Sequence, residues 1–299
     1  MATRHFLTLM DLTRAELRAL IQRAIVLKAE FKSGQSYEPL RNKTLAMLFD
    51  KSSTRTRLSF EAAVTQFGGN VAFLEPGSTQ LGRGEPIADT ARVMSRFVDA
   101  VVIRTSSHEM VVNFAEHSSV PVINGLTDAF HPCQLLADIQ TYQERHGDIT
   151  GRRVAWIGDG NNVCHSWINA ARQFEFDLVI ATPDAYQPNT ELLSSVPQAQ
   201  WSTDARAAVT NADIVVTDTW ASMGQEAEKA QREHVFAPYR VDSALMELAK
   251  PDAVFMHCLP AYRGDEVTAE VLDGPQSIVW DQAENRLHAQ KALLEFLLT

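Results

Sequence analysis

Thr44-Leu45-Ala46-Met47-Leu48-Phe49-Asp50-Lys51-Ser52-Ser53-Thr54-Arg55-Thr56-Arg57-Leu58-Ser59-Phe60-Glu61 is the stretch that decides the fold. Thr44 to Phe49 is an apolar run of strand length. After Ser53 the apolar positions switch to helical spacing through Leu58, Phe60, Ala62, Val64 and Phe67, until Gly68-Gly69 ends the pattern. A strand, a hydroxyl-rich turn and a helix therefore follow one another.

The first N–H groups of a helix have no intrahelical partners, and the helix dipole makes that end attractive to anions. Ser53, Thr54 and Thr56 add hydroxyl donors there, and Arg55 and Arg57 add guanidinium forks suited to a phosphate or carboxylate. The competing reading makes Ser52 or Ser53 a plain N-cap and leaves the arginines on a solvated face. Four hydroxyls and two arginines at one turn of an acidic chain favour the anion site.

The Ser-Thr-Arg-Thr-Arg run resembles the carbamoyl phosphate loop of the aspartate and ornithine carbamoyltransferase family. The resemblance implies that Ser53, Thr54, Arg55 and Thr56 hold the phosphate of carbamoyl phosphate.

Composition agrees with a globular protein. The 299 residues can fill two domains, with 45% apolar residues for their cores. A net charge of −10 argues against nucleic-acid binding but not against a small anion met by focused arginines. There is no apolar stretch of membrane-spanning length and no leader-like start, so a soluble cytoplasmic protein is expected. Cys133, Cys164 and Cys258 are odd in number and far apart, which indicates free thiols and no zinc pattern.

Read in order, residues 11–32 form an amphipathic helix, followed by the organising stretch and a strand at Asn70–Leu74. The loop Glu75–Glu85 is long and punctuated by Gly and Pro, the kind that carries function or is a mobile surface loop. By resemblance it reaches a neighbouring subunit's site, where Gln80 touches carbamoyl phosphate; the lysine of the aspartate enzymes is missing here, with Arg83 nearby. A helix over Ile87–Phe97 leads to the strand Asp99–Arg104, whose terminal arginine either enters the ligand crevice at the strand ends of an open sheet or, as often, is a surface charge. After a strand at Val120–Gly125, His131-Pro132 opens a helix, presenting His131, Cys133 and Gln134. His-Pro-Cys-Gln resembles the second motif of the ornithine branch. That likeness implies carbamoyl phosphate contacts from Arg104, His131, Pro132, Cys133 and Gln134, with His131 and Gln134 on the carbonyl and amide. Cys133 is read as packing.

The alternation restarts at Val154–Ile157, and the domain boundary is placed near residue 148: a carbamoyl phosphate domain over 1–147 and an ornithine domain over 148–299. Gly158-Asp159-Gly160 invites a dinucleotide reading, but Val163 stands where a third small residue belongs, and the next strand ends in Thr182-Pro183. The strand before Trp220 delivers Asp218, which can pair with an ammonium. Ser222-Met223-Gly224 can offer polar groups to a carboxylate, and Glu226 to Arg232 reads as a solvated face of a mobile loop. The last strand runs into His257-Cys258-Leu259-Pro260, where Cys258 could be an inert thiol.

The resemblance, in four motifs across nearly the whole chain, makes Asn162, Asp218, Ser222 and Met223 the ornithine contacts and adds Cys258 and Leu259 to the carbamoyl phosphate set. It also implies that Arg286 opens a C-terminal helix (about 285–299) that packs back on the first domain and brings its arginine to carbamoyl phosphate. Cys258, Arg55, Arg104, His131 and Asp218 are then the catalytic groups, with Cys258 beside the δ-amine and paired with Asp218. The expected fold is α/β: two Rossmann-like domains, each a parallel sheet flanked by helices, linked by helices. The expected reaction is carbamoyl transfer from carbamoyl phosphate to the δ-amine of L-ornithine in arginine biosynthesis, giving citrulline and phosphate. No metal or cofactor is required, and a homotrimer is implied. Carbamoylation of putrescine or N-acetylornithine, a nicotinamide-binding oxidoreductase and a non-catalytic member of the fold are the alternatives.

Overall fold

The architecture is that of a computed structural model, which describes residues 3–75, 84–221 and 228–299. The chain divides into two compact units, Met1–Gln140 with Glu284–Thr299 (unit 1) and Thr141–Ala283 (unit 2).

Unit 1 contains α1 (Arg14–Lys32), β1 (Thr44–Phe49), α2 (Thr54–Gln66), β2 (Asn70–Leu74), α3 (Ile87–Met94), β3 (Ala100–Arg104), α4 (His108–His117) and β4 (Val122–Leu126), and then the start of α5 (Pro132–His146). Its four strands are all parallel, in the order β2-β1-β3-β4. Unit 2 contains β5 (Arg153–Ile157), α6 (Asn162–Phe174), β6 (Asp177–Ala181), α7 (Thr190–Ser194), β7 (Ala199–Ser202), α8 (Ala205–Val209), β8 (Ile214–Thr217), α9 (Lys229–Phe236), α10 (Ser243–Met246), β9 (Val254–His257), α11 (Ala269–Leu272) and the start of α12 (Val279–Leu298). Its sheet is also parallel, ordered β7-β6-β5-β8-β9. The expected α/β class with parallel sheets is what forms.

Helices on both faces bury a parallel sheet, so its central strands read as continuous apolar runs rather than as alternations. Val101, Val102 and Ile103 on β3, and Val215 and Val216 on β8, are almost wholly buried. In unit 1, Leu48, Val101 and Ile103 pack against Val111 and Phe114 of α4. In unit 2, Ile157, Val215 and Phe255 pack with Val209, Val241 and Leu272.

Several boundaries differ from the sequence reading. The first helix begins at Arg14 rather than at residue 11, because Thr13 and Glu16 close a capping box: Glu16 accepts from Thr13 N–H at 2.8 Å and Thr13 Oγ1 accepts from Glu16 N–H at 3.3 Å. α3 stops at Met94 and β4 runs from Val122 to Leu126. α12 begins at Val279, because no Gly or Pro interrupts the chain after Pro275. Arg286 therefore lies inside the helix instead of opening it.

The same device ties the strand starts in both units. Asp99, just before β3, accepts from Thr44 N–H at 2.8 Å and pairs with Lys43 at 3.0 Å. Asp213, just before β8, accepts from Arg153 N–H at 2.9 Å and pairs with Lys250 at 2.7 Å. Burial works against the Asp213 carboxylate, but the Arg153 N–H, Lys250 and Arg152 together hold its pKa below the usual range. A depressed folded pKa stabilises the protein above the unfolded value of about 4 and stops doing so as pH falls through the folded one. Asp213→Asn is expected to cost about 1–2 kcal/mol near pH 7, the scale of hydrogen bonds to a charged group with a partly exposed cation. Thermal melts of the two proteins should converge below pH 4; a constant gap down to pH 2 would count against this assignment.

Candidate active site

In unit 1 the chain reverses its direction of growth between β1 and β3, and at such a switch point the carboxyl ends of an open parallel sheet collect ligands. β1 leads into Ser53, whose backbone is extended (φ −160°, ψ 111°) and whose Oγ accepts from Thr56 N–H at 3.2 Å, capping α2. The cap uses one N–H of the first turn. Those of Thr54 and Arg55 have no helical carbonyl ahead of them.

Arg104 ends β3 beside Phe49. Its Nη1 donates to Thr56 Oγ1 at 3.3 Å, and Arg286 Nη2 donates to the same oxygen at 3.2 Å. A hydroxyl oxygen has two lone pairs. With guanidinium donors on both, the Thr56 proton is left to be given to an acceptor. Arg286 Nη1 donates to Gln134 Oε1 at 2.6 Å.

His131 lies just before α5 and is 5% exposed. Burial, then the positive charges of Arg286, Arg104 and Arg55, hold its imidazole well below the ordinary pKa. It is therefore a neutral N–H donor at physiological pH. Pro132 occupies the first helical position, where no N–H is needed. Cys133 is buried, points Sγ at Asn124 O at 3.4 Å, and has its thiol pushed up to about 12 by burial, which suits packing and not nucleophilic attack. Arg55 is half-buried near this group, whereas Arg57 is not part of it. The Arg57 guanidinium lies 3.7 Å from the centre of the Phe73 ring and bonds Glu61 at 3.0 Å, one helical turn on, so that fork is taken. Gln80 and Arg83 fall outside the described residues.

In unit 2 the reversal falls between β5 and β8. Asn161, which the sequence reading passed over in favour of Asn162, is the N-cap of α6. Its Oδ1 accepts from Val163 and Cys164 N–H at 3.0 and 3.1 Å, and its Nδ2 donates to Asp218 Oδ2 at 2.8 Å. Asn162 is the first residue of the helix, its Oδ1 3.0 Å from Val163 N. Asp218 follows β8, 7% exposed, and its Oδ1 accepts from Thr219 N–H at 2.8 Å and from Cys258 Sγ at 3.1 Å. The carboxylate is thus fixed from three directions, with the cysteine thiol as one donor. Ser222 and Met223 lie outside the described residues.

Asp218, His257 and Cys258 offer ligand atoms within 4.8 Å of one another, a spacing that a divalent cation could bridge. Both imidazole nitrogens are already engaged, however. Nδ1 accepts from Leu259 N–H at 2.9 Å, which places the proton on Nε2, 3.2 Å from Glu266 Oε1. This pairing holds Leu259 in the left-handed region (φ 60°) immediately after Cys258.

Arg232 corrects an expectation. Sequence placed Glu226 to Arg232 on a solvated face, but the Arg232 side chain is 5% exposed. Its Nη2 pairs with Asp159 Oδ2, its Nε donates to Trp220 O, and its guanidinium stacks 4.7 Å from the Tyr186 ring and 5.2 Å from that of Phe236. Burial pushes Asp159 up to about 6 against the pull of Arg232, with Asp218 adding to the rise. No local pattern announces a pair 73 residues apart.

The glycines around Asp159 have structural reasons of their own. Gly158 takes φ 127°, and a Cβ on Gly160 would sit 2.4 Å from Pro188 N and 2.6 Å from Tyr186 O. Where a dinucleotide turn needs a third small residue, Val163 is packed into the interior at 4% exposure.

The family model described as aspartate/ornithine carbamoyltransferase, carbamoyl-P binding domain, matches residues 4–144, and its Asp/Orn binding domain matches residues 150–297. An ornithine carbamoyltransferase of Methylococcus capsulatus is 62% identical over 300 residues, covering 100% of both chains. The crystal structure of one from Burkholderia thailandensis is 50% identical with a TM-score of 0.92, covering 99% of this chain and 98% of that one. One from Pyrococcus furiosus is 48% identical with a TM-score of 0.96, covering 99% and 97%.

The close approach at Gly160 yields a test. Gly160→Ala must push the turn away from Tyr186–Pro188 and so loosen Asn161 from Asp218, and a loss of about 1–3 kcal/mol in stability is expected from the overpacking. A crystal structure of the variant with the Asn161–Asp218 bond unchanged would show that the clash is absorbed elsewhere.

Proposed function

The chain belongs to the aspartate/ornithine carbamoyltransferase family, and from that membership we propose that it transfers the carbamoyl group of carbamoyl phosphate to the δ-amine of L-ornithine, giving L-citrulline and phosphate. The observation that carries this reading is the convergence of Arg104 and Arg286 on the Thr56 hydroxyl at the first turn of α2, beside a neutral His131.

Carbamoyl phosphate is assigned to unit 1. Ser53, Thr54, Arg55 and Thr56 take the phosphate, with the Thr56 hydroxyl donating because its lone pairs are occupied. Arg104, Arg286 and His131 stabilise the carbamoyl oxygen as negative charge develops on it, and donors fixed before the substrate arrives need no reorganisation during the reaction. Gln134 Oε1 retains a second lone pair for the carbamoyl amide. Pro132, Cys133, Leu259 and Gln80 complete the proposed contacts. Ornithine is assigned to unit 2, its α-ammonium to Asp218 and its α-carboxylate to Asn162 with Ser222 and Met223. Cys258 stands beside the δ-amine: its proton is committed to Asp218, so its sulfur can accept an N–H and orient the nitrogen lone pair.

The neutral amine attacks the carbamoyl carbon, a C–N bond forms, the C–O bond to phosphate breaks, and the departing phosphate takes the proton. At pH 7 only roughly one in a thousand alkyl amines with a pKa near 10 is neutral. The metabolic setting we assign is arginine biosynthesis in the cytoplasm, by a homotrimer. The trimer is supported by the family and by the exposure of Leu58, Val93 and Phe97 on unit 1 (58%, 50% and 76%). No helix among the described residues is long and apolar enough to cross a membrane.

Citrulline formation should be measured from carbamoyl phosphate with ornithine, putrescine, N-acetylornithine or aspartate between pH 6 and 9. Ornithine alone should react, with kcat/KM for ornithine rising up to about tenfold per pH unit from the amine's titration. Activity with another amine would keep the unit 1 assignments and overturn those of unit 2. Arg55→Lys keeps the charge but loses the fork, so carbamoyl phosphate binding should weaken by about tenfold or more, the order of one charge-assisted bond. Unchanged steady-state constants would remove Arg55 from the site.

A further inference from the structure

We infer that Asp138 is a positioning residue of the carbamoyl phosphate site, fixing the direction of the Gln134 carboxamide and through it the guanidinium of Arg286; this rests on the proposed reading of that site. Asp138 sits one helical turn after Gln134 on α5, is 1% exposed, and takes no part in the chemistry above. Gln134 Nε2 donates to Asp138 Oδ1 at 2.8 Å, while Gln134 Oε1 accepts from Arg286 Nη1 at 2.6 Å.

A carboxamide is nearly symmetric in shape and opposite in chemistry at its two ends, so its direction is set only by its partners. A carboxylate can only accept and a guanidinium can only donate. With Asp138 on one side and Arg286 on the other, only one orientation of the Gln134 amide satisfies both. The order then passes along the row, because Arg286 also donates through Nη2 to Thr56 Oγ1 at 3.2 Å, the oxygen that accepts from Arg104 at 3.3 Å. Gln134 is itself 1% exposed, so water cannot readily replace a lost partner. Without the carboxylate, a flipped amide would present its N–H₂ to the donor-only guanidinium, and Arg286 would leave its place against Thr56.

The test uses the full chain and reads binding of freshly prepared carbamoyl phosphate by calorimetry, with thermal melts as a check on folding. Asp138→Ala should raise the Kd by about tenfold or more, as expected for loss of a buried hydrogen bond to a charged group. Asp138→Asn keeps an acceptor oxygen and should stay within a few-fold of wild type. Asp138→Ala added to Gln134→Ala should weaken binding little further, because residues acting through one another are not additive. If Asp138→Ala does not fold, the reversed pair decides. Gln134→Glu sets acceptor against acceptor and should bind poorly. Adding Asp138→Asn supplies a donor, leaves an acceptor for Arg286, and should restore most of the loss. Losses that multiply in the double alanine variant, or no recovery in the reversed pair, would overturn the positioning role. A wild-type protein that gives no heat with carbamoyl phosphate would instead overturn the site assignment itself.

Discussion

Three guanidinium groups and an imidazole share the carboxyl ends of β1 and β3, and their mutual repulsion is the constraint on which unit 1 depends. Like charges in a buried setting stay together only if each is hydrogen-bonded and at least one group gives up its charge. His131 does the second: burial and the arginines keep its ring neutral. For Arg104 and Arg286 the first is done by Thr56, which accepts from both at once, and by Gln134, which accepts from Arg286. The cluster is thereby assembled in advance of a dianion. These bonds hold a local excess of positive charge in a chain whose net charge is −10.

The sheets supply the rigidity. An anion site at a helix start is only as accurate as the strand that feeds it, and both sheets are pinned where their central strands begin, by Asp99 in unit 1 and Asp213 in unit 2. Each aspartate satisfies a strand-start N–H that the ladder leaves over and adds a lysine partner, Lys43 or Lys250. Recurrence of one device at equivalent places fits the shared topology, in which the second central strand grows on the opposite side from the first return.

What was legible in the sequence was local. Asp218 could be proposed as a site group because it lies at a strand end, Cys258 only through the resemblance, and Ser53 to Thr56 and the His131–Gln134 helix start because strand-to-helix turns put consecutive residues at one place. Parallel central strands were legible for the same reason, as unbroken apolar runs. Short edge elements such as β7, four residues long, carry too little pattern to be seen. The contacts that escaped are those made by distant segments. Nothing in the local sequence sets Asn161 apart from its neighbour Asn162; only the position of the helix start makes it the cap and sends its Nδ2 to Asp218. Arg232 looked like one charge in a polar helix, and only the approach of α9 to the turn after β5 buries it against Asp159. Arg57 looked like Arg55, two residues away, yet that spacing points them to different sides of α2, one toward Phe73.

The two half-sites are opposite in electrostatic character, and the difference matches the proposed substrates. Unit 1 gathers cations and a neutral imidazole for an anion whose leaving group must depart with its charge accommodated. Unit 2 gathers acids, Asp218 and Asp159, with Arg232 set on Asp159 rather than on Asp218. That placement fits the proposed assignment, because a cation paired directly with Asp218 would compete for it with the ammonium proposed to bind there. Among the described residues the donors bonded to Asp218 are neutral, the Asn161 amide, the Thr219 N–H and the Cys258 thiol. Neutral donors orient a carboxylate while leaving its charge available, so the group can bind an ammonium without first breaking an ion pair. Under the proposed assignment the thiol bond would serve the amine in a second way. A cysteine whose proton is committed to a carboxylate presents its sulfur as an acceptor, and an acceptor beside a primary amine favours the rotamer that aims the nitrogen lone pair away from the sulfur, free for the electrophile.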